Sequence, residues 1–316
     1  MSEFCFGVDL GGTTVKMGLF SVEGELKEKW EIRTRKEENG KYILEDIADS
    51  IASKIKERTI SKEYVAGVGI GVPGPVTTDG TVLKCANLGW GIFSVADELK
   101  KLTGISKIKV GNDANVAALG EMWQGGGKGF ENIVMVTLGT GVGGGVIIDK
   151  RILTGSRGAA GEIGHITVNE QEEEVCGCGK KGCLEQYASA TGVVRIAKRV
   201  LGLSDIDSEL RKYDRLSAKN IFDAAKAGDK IAIEIVDKFG YYLGTALAQI
   251  AQVVDPDAFV IGGGVSKAGQ IIIDVVKEYY ESHVMYALKD KAFRLAELGN
   301  DAGIYGSAGM VLQYED

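Results

Sequence analysis

The stretch V-D-L-G-G-T-T at residues 8–14 determines the fold expected for this chain. An apolar strand from Phe4 to Leu10 enters a Gly-Gly-Thr turn, and a second strand follows from about Val15 to Phe20, which is the pattern of a β-hairpin. Backbone N–H groups in such a turn can bind phosphate, and threonine hydroxyls add donors. An ordinary hairpin turn has the same pattern, so this stretch alone leaves both interpretations open.

A second stretch, V-T-L-G-T-G-V at residues 136–142, repeats the same design later in the chain. It ends a predicted strand at 133–138 and precedes a returning strand that runs to Ile148. This weak internal repeat predicts two similar α/β domains, each with a turn that can bind phosphate. The chain contains no G-x-x-x-x-G-K-[ST] motif, so neither turn is a P-loop.

Asn112 and Asp113 follow a predicted strand at 108–111 and precede an alanine-rich helix. Ligands of open α/β sheets bind just beyond the carboxyl ends of the strands. An aspartate at this position is equally compatible with a helix N-cap and with a catalytic group. Asp9 also ends a strand, and it is a candidate to hold Mg²⁺, which binds few protein carboxylates and keeps several waters.

Cys176, Cys178 and Cys183 lie within eight positions, and His165 precedes the first of them by eleven residues. A Cys₃His set is typical of tetrahedral zinc sites. The alternatives are three unrelated reduced cysteines or a disulfide. Random placement of five cysteines would rarely produce this cluster, and an odd number of neighbouring cysteines in a chain expected to be cytosolic favours metal.

Glu162 and Glu185 flank the predicted zinc ligands. Carboxylates accept hydrogen bonds from paired hydroxyls, so two of them beside a fixed loop favour a polyol or sugar ligand. Either residue on its own would be interpreted as a solvated surface acid. Their position beside the predicted metal ligands favours a function.

The composition restricts the class of protein. With 316 residues the chain is long enough for two domains, and its net charge of −7 disfavours a nucleic-acid surface. No apolar run approaches the roughly 20 residues that span a bilayer, and the N-terminus lacks the basic region of a signal peptide. We therefore expect a cytoplasmic protein with reduced thiols, without nucleic-acid or membrane partners.

The motif E-x-G-H at 162–165, followed by C-x-C-G-x-x-G-C-x-E at 176–185, resembles the signature of the ROK family of sugar kinases and sugar-responsive repressors. The other motifs extend this resemblance over nearly the whole chain. It implies an α/β actin-like ATPase fold of the hexokinase type, with two similar domains around a cleft and a zinc-bound loop at 161–185.

The domain organisation implied by this resemblance has a boundary near residue 112. A small N-terminal α/β domain comprises residues 1–112, and a large C-terminal α/β domain comprises residues 113–301. A C-terminal helix at about 302–316 is expected to pack back on the small domain.

The activity implied by the resemblance is that of an ATP-dependent hexose kinase, closest to a ROK glucokinase acting on the glucose 6-hydroxyl. Kinases for mannose, N-acetylmannosamine or fructose remain alternatives, as do a repressor-type protein and a catalytically silent sugar-binding module. Because the first strand begins at Phe4 and the charge is acidic, we expect no DNA-binding helix-turn-helix. Asp113 argues against a silent module.

The resemblance also implies roles for single residues and for partners. Asp113 is the expected general base, and zinc is expected to be structural, with Mg²⁺ and ATP completing the set of cofactors and co-substrates. The expected partner is a hexose, and the protein is expected to form a homo-oligomer, a dimer or a tetramer. The expected ATP ligands are Asp9, Gly11, Gly12, Thr13, Lys16, Thr140, Gly141, Gly262, Gly263 and Gly264. The expected sugar ligands are Asn87, Asn112, Asp113, Glu162, His165 and Glu185.

Overall fold

The computed structural model describes residues 3–83 and 85–313. The strands are β1 (Phe4–Leu10), β2 (Thr14–Ser21), β3 (Leu26–Arg33), β4 (Val65–Val72), β5 (Thr81–Val82), β6 (Phe93–Ser94), β7 (Ile108–Asn112), β8 (Ile133–Leu138), β9 (Val142–Ile148), β10 (Arg151–Ile152), β11 (Ala258–Gly262) and β12 (Ala292–Leu295). The helices are α1 (Glu37–Gly40), α2 (Ile43–Glu57), α3 (Val95–Thr103), α4 (Asp113–Gln124), α5 (Glu185–Ala188), α6 (Ala190–Leu203), α7 (Ala218–Lys226), α8 (Lys230–Val254), α9 (Gln270–His283) and α10 (Ala302–Gln313).

The first sheet has the strand order β3-β2-β1-β4-β7. Strands β1 and β2 form the predicted hairpin, and β4 and β7 continue the sheet in parallel with β1. Asp9 lies opposite Gly71 on β4, and Gly71 lies opposite Gly111 on β7. The ends of three parallel strands therefore coincide, which places Asp9 and Asn112 on the same edge of this sheet.

The second sheet has the order β10-β9-β8-β11-β12, with β8, β11 and β12 parallel to one another. Strand β9 follows β8 through the turn at 139–141 and pairs on its other side with β10 in antiparallel fashion. Strand β1 is central in the first sheet and β8 is central in the second. In each sheet the next two strands of the chain lie on one side of the central strand, and two strands parallel to it lie on the other side. This is the pattern that the repeated turn at 8–14 and 136–142 predicts.

Helices cover both faces of the first sheet. Residues Phe6, Val8 and Leu10 alternate along β1 toward a core that includes the stripe of α2 isoleucines, Ile43, Ile47, Ile51 and Ile55. On the opposite face Cys5 packs with Ile304 and Ala308 of α10. Buried residues recur every second position along β1 and every fourth position along α2. The two sets pack together in a layered core, as expected for an α/β sheet.

The residues divide by contact into two compact units, one comprising Met1–Glu131, Gly145–Gly161 and Leu298–Asp316, the other Asn132–Gly144 and Glu162–Glu297. The first unit therefore continues beyond the boundary expected at residue 112. The reason is that α4 packs directly on α10: a Cβ at Gly306 would lie 1.7 Å from the carbonyl oxygen of Val116. Only glycine permits so close a helix contact.

Helix α8 forms the centre of the second unit. Its Gly240 and Gly244 lie against Val275 and Val276 of α9. A Cβ at Gly244 would lie 2.5 Å from the carbonyl oxygen of Val276. Within residues 3–83 and 85–313, every helix is too short or too polar to span a bilayer.

Candidate functional site

Asp9 lies at the end of β1, within the first unit. Lys16 Nζ is 3.9 Å from Asp9 Oδ2 and also donates to the carbonyl of Asn300 at 2.9 Å. Burial raises the pKa of Asp9, and the positive charge of Lys16 partly offsets this effect. A Cβ at Gly303 would lie 2.5 Å from Asp9 Cγ, so the glycine in α10 makes room for the carboxylate.

The turn after Asp9 is held by Thr34, a buried residue that follows β3. Its backbone N–H donates to the carbonyl of Thr13 at 2.9 Å, and its hydroxyl donates to the carbonyl of Gly11 at 2.7 Å. Because these carbonyls are occupied, the Gly11–Thr13 turn has a defined backbone conformation. No local pattern in the sequence points to Thr34, because a contact between a turn and a residue more than twenty positions away leaves no local signal.

Asn112, rather than Asp113, is the N-cap of α4. Its Oδ1 accepts hydrogen bonds from the backbone N–H groups of Ala114 and Asn115, and its Nδ2 donates to the carbonyl of Gly74 at 3.1 Å. The Asn112 amide therefore joins the helix to the loop after β4. Asp113 is the first helical residue, and its Oδ1 accepts from Ala114 N at 2.8 Å. The carboxylate is thus oriented by the helix without serving as its N-cap.

In the second unit, the Gly139–Gly141 turn lies against other residues that the sequence singled out. A Cβ at Gly263 would lie 2.5 Å from the carbonyl oxygen of Leu138, which places the glycine run at 262–264 beside the end of β8. The start of α6 also contacts the turn, because Ala190 N donates to Gly139 O and the Thr191 hydroxyl donates to Thr140 O.

Glu185 connects this turn to the cysteine cluster. One carboxylate oxygen accepts from Val142 N at 3.0 Å, and the other lies 3.8 Å from the sulfur of Cys176. A Cβ at Gly141 would lie 2.1 Å from that first oxygen, so the glycine is needed for the carboxylate to fit. Glu185 is therefore an ordered residue in contact with the turn, and not a solvated surface acid.

The four predicted zinc ligands lie together: the ligand atoms of His165, Cys176, Cys178 and Cys183 are all within 4.8 Å of one another. Cys178 Sγ and Cys183 Sγ are 3.6 Å apart, and His165 Nδ1 is 3.8 Å from Cys176 Sγ. Ligands about 2.3 Å from a tetrahedral zinc are separated by roughly 3.8 Å, so these distances fit a zinc ion. The alternative of three unrelated cysteines does not account for this geometry.

The electrostatics of the cluster also favour a cation. Burial raises the pKa of the Cys183 thiol to about 12, whereas the backbone N–H of Lys180 lowers the pKa of Cys178. A divalent ion would offset the cost of holding several thiolates close to one another.

An ion-pair cluster fastens the segment before the cysteines to α6. The side chain of Glu172 is 1% exposed and lies 2.9 Å from both Arg195 Nη2 and Arg199 Nη2. The Tyr187 hydroxyl donates to the same carboxylate. Mainly because of the hydrogen bond from Arg199, the pKa of Glu172 lies far below its usual range. The sequence offered no signal for this cluster, because its members are far apart along the chain.

Two further residues that the sequence predicts as sugar ligands, Asn87 and Glu162, are exposed. Asn87 is exposed in a single helical turn at 86–88, and Glu162 is exposed immediately before the turn that carries His165. Gly164, between Glu162 and His165, packs on the carbonyl of Val142. The segment with these two residues is thereby held beside the Gly139–Gly141 turn.

The profile that describes the ROK family matches residues 5–314. The chain belongs to the ROK family. The ROK assignment agrees with the sugar-kinase signature at 162–185 and with the folds of solved ROK proteins.

Two relatives of this ROK chain bear the name glucokinase. The glucokinase of Halalkalibacterium halodurans is 45% identical over 315 residues, which is 98% of this chain and 95% of the relative. The glucokinase of Thermotoga maritima is 38% identical over 313 residues, 96% of each protein. A ROK family glucokinase from Streptomyces griseus, solved with glucose and AMPPNP, is 33% identical and superposes with a TM-score of 0.70, covering 98% of this chain and 100% of the solved one.

Proposed function

We propose that this ROK protein is an ATP-dependent glucokinase that transfers the γ-phosphoryl group of ATP to the 6-hydroxyl of glucose. The observation that carries the proposal is the position of Asp113: it follows β7 on the sheet edge that also holds Asp9 and the Gly11–Thr13 turn. The two relatives named glucokinase support glucose as the substrate.

Asp113 is the proposed general base. Its carboxylate would orient the sugar hydroxyl and accept its proton as the bond to phosphorus forms. Since the transition state of phosphoryl transfer is loose, positioning and charge neutralisation supply most of the catalysis. The hydrogen bond from Ala114 N and the N-cap at Asn112 keep the Asp113 side chain in place before the substrate arrives.

The glycine turns are the proposed phosphate ligands. Backbone N–H groups of Gly11, Gly12 and Thr13 and of Thr140 and Gly141 would donate to phosphate oxygens, and Gly262–Gly264 would contact the adenosine portion. Asp9 would hold Mg²⁺, directly or through water, with Lys16 beside it. When bound to ATP, Mg²⁺ neutralises part of the phosphate charge.

The proposed sugar ligands are Asn87, Asn112, Glu162, His165 and Glu185, in addition to Asp113. His165 directs Nδ1 toward Cys176, which leaves its Nε2 edge for a sugar hydroxyl. Zinc held by His165 and the three cysteines would be structural, because four protein ligands complete its coordination. Its contribution would be to fix the loop that ends in Glu185.

The cellular setting is proposed on general grounds. All five cysteines are free thiols, which fits a reducing compartment, and the ROK resemblance supports a cytoplasmic homo-oligomer, either a dimer or a tetramer.

The test is a coupled assay of ADP release with MgATP and a panel of hexoses: glucose, mannose, N-acetylmannosamine and fructose. We expect release to depend on a hexose and kcat/KM to be highest for glucose. A higher kcat/KM for another hexose would assign that hexose as the substrate in place of glucose. If no hexose were phosphorylated with either ATP or polyphosphate as donor, the kinase assignment would be overturned.

A further inference from the structure

A lysine that the sequence motifs do not include lies on the first glycine turn. Lys36 Nζ would be 3.3 Å from a Cβ placed at Gly12, so the ammonium group sits directly over the turn. Thr34, two residues earlier, is bonded to the carbonyls of Gly11 and Thr13. The backbone that carries Lys36 is therefore tied to the same turn that its side chain covers.

The ammonium of Lys36 is uncommitted, in contrast to its neighbours. Arg33 pairs with Glu37 at 3.1 Å and Arg35 pairs with Asp46 at 2.6 Å. For the Lys36 ammonium, residues 3–83 and 85–313 provide neither an ion-pair partner nor a hydrogen-bond acceptor. A flexible, exposed cation that covers a glycine turn without a protein partner is suited to bind an anionic ligand there.

The other lysine near this turn is already engaged. Lys16 lies beside Asp9 and donates to the carbonyl of Asn300. The carboxylates of Asp9 and Asp113, on the same sheet edge, would repel an incoming phosphate. Since phosphoryl transfer develops charge on the oxygens of the transferred group, a further cation at the turn would stabilise it.

Cys85 places Lys36 in the vicinity of Asp113 as well. Burial raises the pKa of the Cys85 thiol, while the charge of Asp113 raises it and that of Lys36 lowers it to smaller extents. Both charges are therefore within interaction range of one thiol. The charge of Lys36 thus acts on the same thiol as the charge of the proposed base.

We propose that Lys36 binds the phosphoryl group that is transferred, holding it over the Gly11–Thr13 turn. This inference rests on the proposed kinase function and adds a ligand that the motif-based assignment lacks. Lys36 takes part in no covalent step: its ammonium group donates hydrogen bonds to phosphate oxygens before and after transfer.

The decisive variants are Lys36→Met, which removes the charge while retaining most of the length, and Lys36→Arg, which keeps the charge. In steady-state kinetics we expect Lys36→Met to lower kcat/KM for ATP by about 10²-fold, the effect typical of losing one transition-state donor, with the glucose KM little changed. Lys36→Arg should recover a large part of the loss. The matched control is Lys56→Met, an exposed lysine of α2, which should behave as wild type.

A binding experiment tests the same contact without catalysis. Calorimetric titration with magnesium tripolyphosphate should give a Kd that is about tenfold weaker or more for Lys36→Met, the equivalent of one charge-assisted hydrogen bond. Raising the salt concentration should weaken wild-type binding more than that of the variant.

The outcomes separate this inference from the proposed function. Kinase activity with Lys36→Met indistinguishable from wild type would overturn the role of Lys36 and leave the function intact. Lys36-dependent binding of tripolyphosphate by a protein that phosphorylates no hexose would overturn the function and leave the phosphate contact intact. Equal losses in the Met and Arg variants would mean that Lys36 only supports the turn.

Discussion

At the scale of single residues, Asn112 and Asp113 have different structural roles at the start of α4, although they are neighbours in the sequence. Both residues are compatible with helix capping, but one side chain is enough to cap a helix. Asn112 takes this role with two backbone N–H groups, and its amide also binds the Gly74 carbonyl. Asp113 therefore does not cap the helix, and its carboxylate is oriented by the hydrogen bond from Ala114 N.

Asp113→Asn should lower kcat by about 10²–10⁴-fold, the usual contribution of general base catalysis, while the Kd for glucose stays near wild type. The amide keeps the shape of the side chain but accepts no proton. Single-turnover kinetics and calorimetric glucose titration measure the two effects. Asp97→Asn, which also changes an acid in the first turn of a helix of this unit, is the control. A near-normal kcat would remove Asp113 from the role of base.

The two glutamates beside the zinc loop should give different kinetic signatures. Glu162 is exposed, and among residues 3–83 and 85–313 no hydrogen bond joins its side chain to the Gly139–Gly141 turn. Glu162→Ala should therefore raise the glucose KM about tenfold or more and leave the ATP KM near wild type. Glu185 also accepts from Val142 N, so Glu185→Ala should raise both KM values. Steady-state kinetics with glucose and ATP varied in turn distinguish the two variants. The same changes in both KM values for Glu162→Ala and Glu185→Ala would contradict the different roles assigned to the two glutamates.

At the scale of elements, the cysteine loop is held at two places. The cluster of His165 with three cysteines fixes its distal part, and the pairs of Glu172 with Arg195 and Arg199 fasten its start to α6. The first attachment joins the loop to the turn that carries His165, and the second joins it to α6, whose buried face is formed by other residues. Losing one attachment should therefore disorder part of the loop without unfolding the unit.

Cys178→Ser/Cys183→Ser should abolish metal binding and weaken glucose binding, while far-ultraviolet circular dichroism stays close to wild type. The reason is that the metal supplies folding free energy to the loop only. Elemental analysis of the wild type should show one zinc per chain, and trypsin should cleave the variant faster at Lys180 and Lys181. A Cys5→Ala variant, altered in a core distant in sequence from the loop, should retain metal. Normal glucose affinity in the metal-free double variant would refute this account.

Glu172→Gln should lower the free energy of unfolding at neutral pH by roughly 1.5–3 kcal/mol, as expected for loss of charge-assisted hydrogen bonds. Because the folded-state pKa of Glu172 is depressed, its ionised form stabilises the fold above the unfolded-state pKa of about 4.3, and this stabilisation is lost as the pH falls below that value. The difference between wild type and variant should therefore shrink between pH 7 and about pH 3.5.

Urea unfolding at both pH values measures this difference. Glu234→Gln, which alters an exposed pair with Lys238, is the control and should change stability by less than about 1 kcal/mol. If the difference caused by Glu172→Gln is the same at both pH values, the depressed pKa does not stabilise this unit.

At the scale of the whole molecule, helix α10 joins the C-terminal end of the chain to the N-terminal sheet. Its glycines allow backbone-to-backbone contact: Gly306 lies on the carbonyl of Val116, and Gly303 makes room for Asp9. The hydroxyl of Ser307 donates to Val8 O at 2.7 Å. The helix that completes the proposed phosphate end of the first unit is therefore distant along the chain from the strand it covers.

Gly306→Ala should destabilise the protein by about 1–3 kcal/mol or more, because its Cβ would overlap a backbone that cannot withdraw. The matched control is Gly202→Ala in α6, where a Cβ meets open space and helix propensity predicts a small gain. Thermal unfolding midpoints compare the two. A Gly306→Ala protein as stable as the Gly202→Ala protein would show that α10 does not pack tightly on α4.

The sequence alone predicted those features that depend on residues close together in the chain. Apolar runs that end in glycine turns predicted the strands at Phe4–Leu10 and 133–138, and the structure has both with those bounds, as β1 and β8. The ROK family was predicted from the 162–185 signature and is confirmed. The cysteine and histidine spacing likewise predicted a Cys₃His cluster that the fold brings together.

Contacts between distant segments were decided by the tertiary structure alone. The extension of the first unit to Glu131 depends on helix packing at Gly306, and strand β12 lacks a sequence pattern strong enough to predict it. The positions of Thr34, Lys36 and Glu172 depend on which segments the sheets bring together. Chain patterns report local periodicity and capping, whereas hydrogen bonds and ion pairs between distant residues form only when packing of the cores brings those residues within reach.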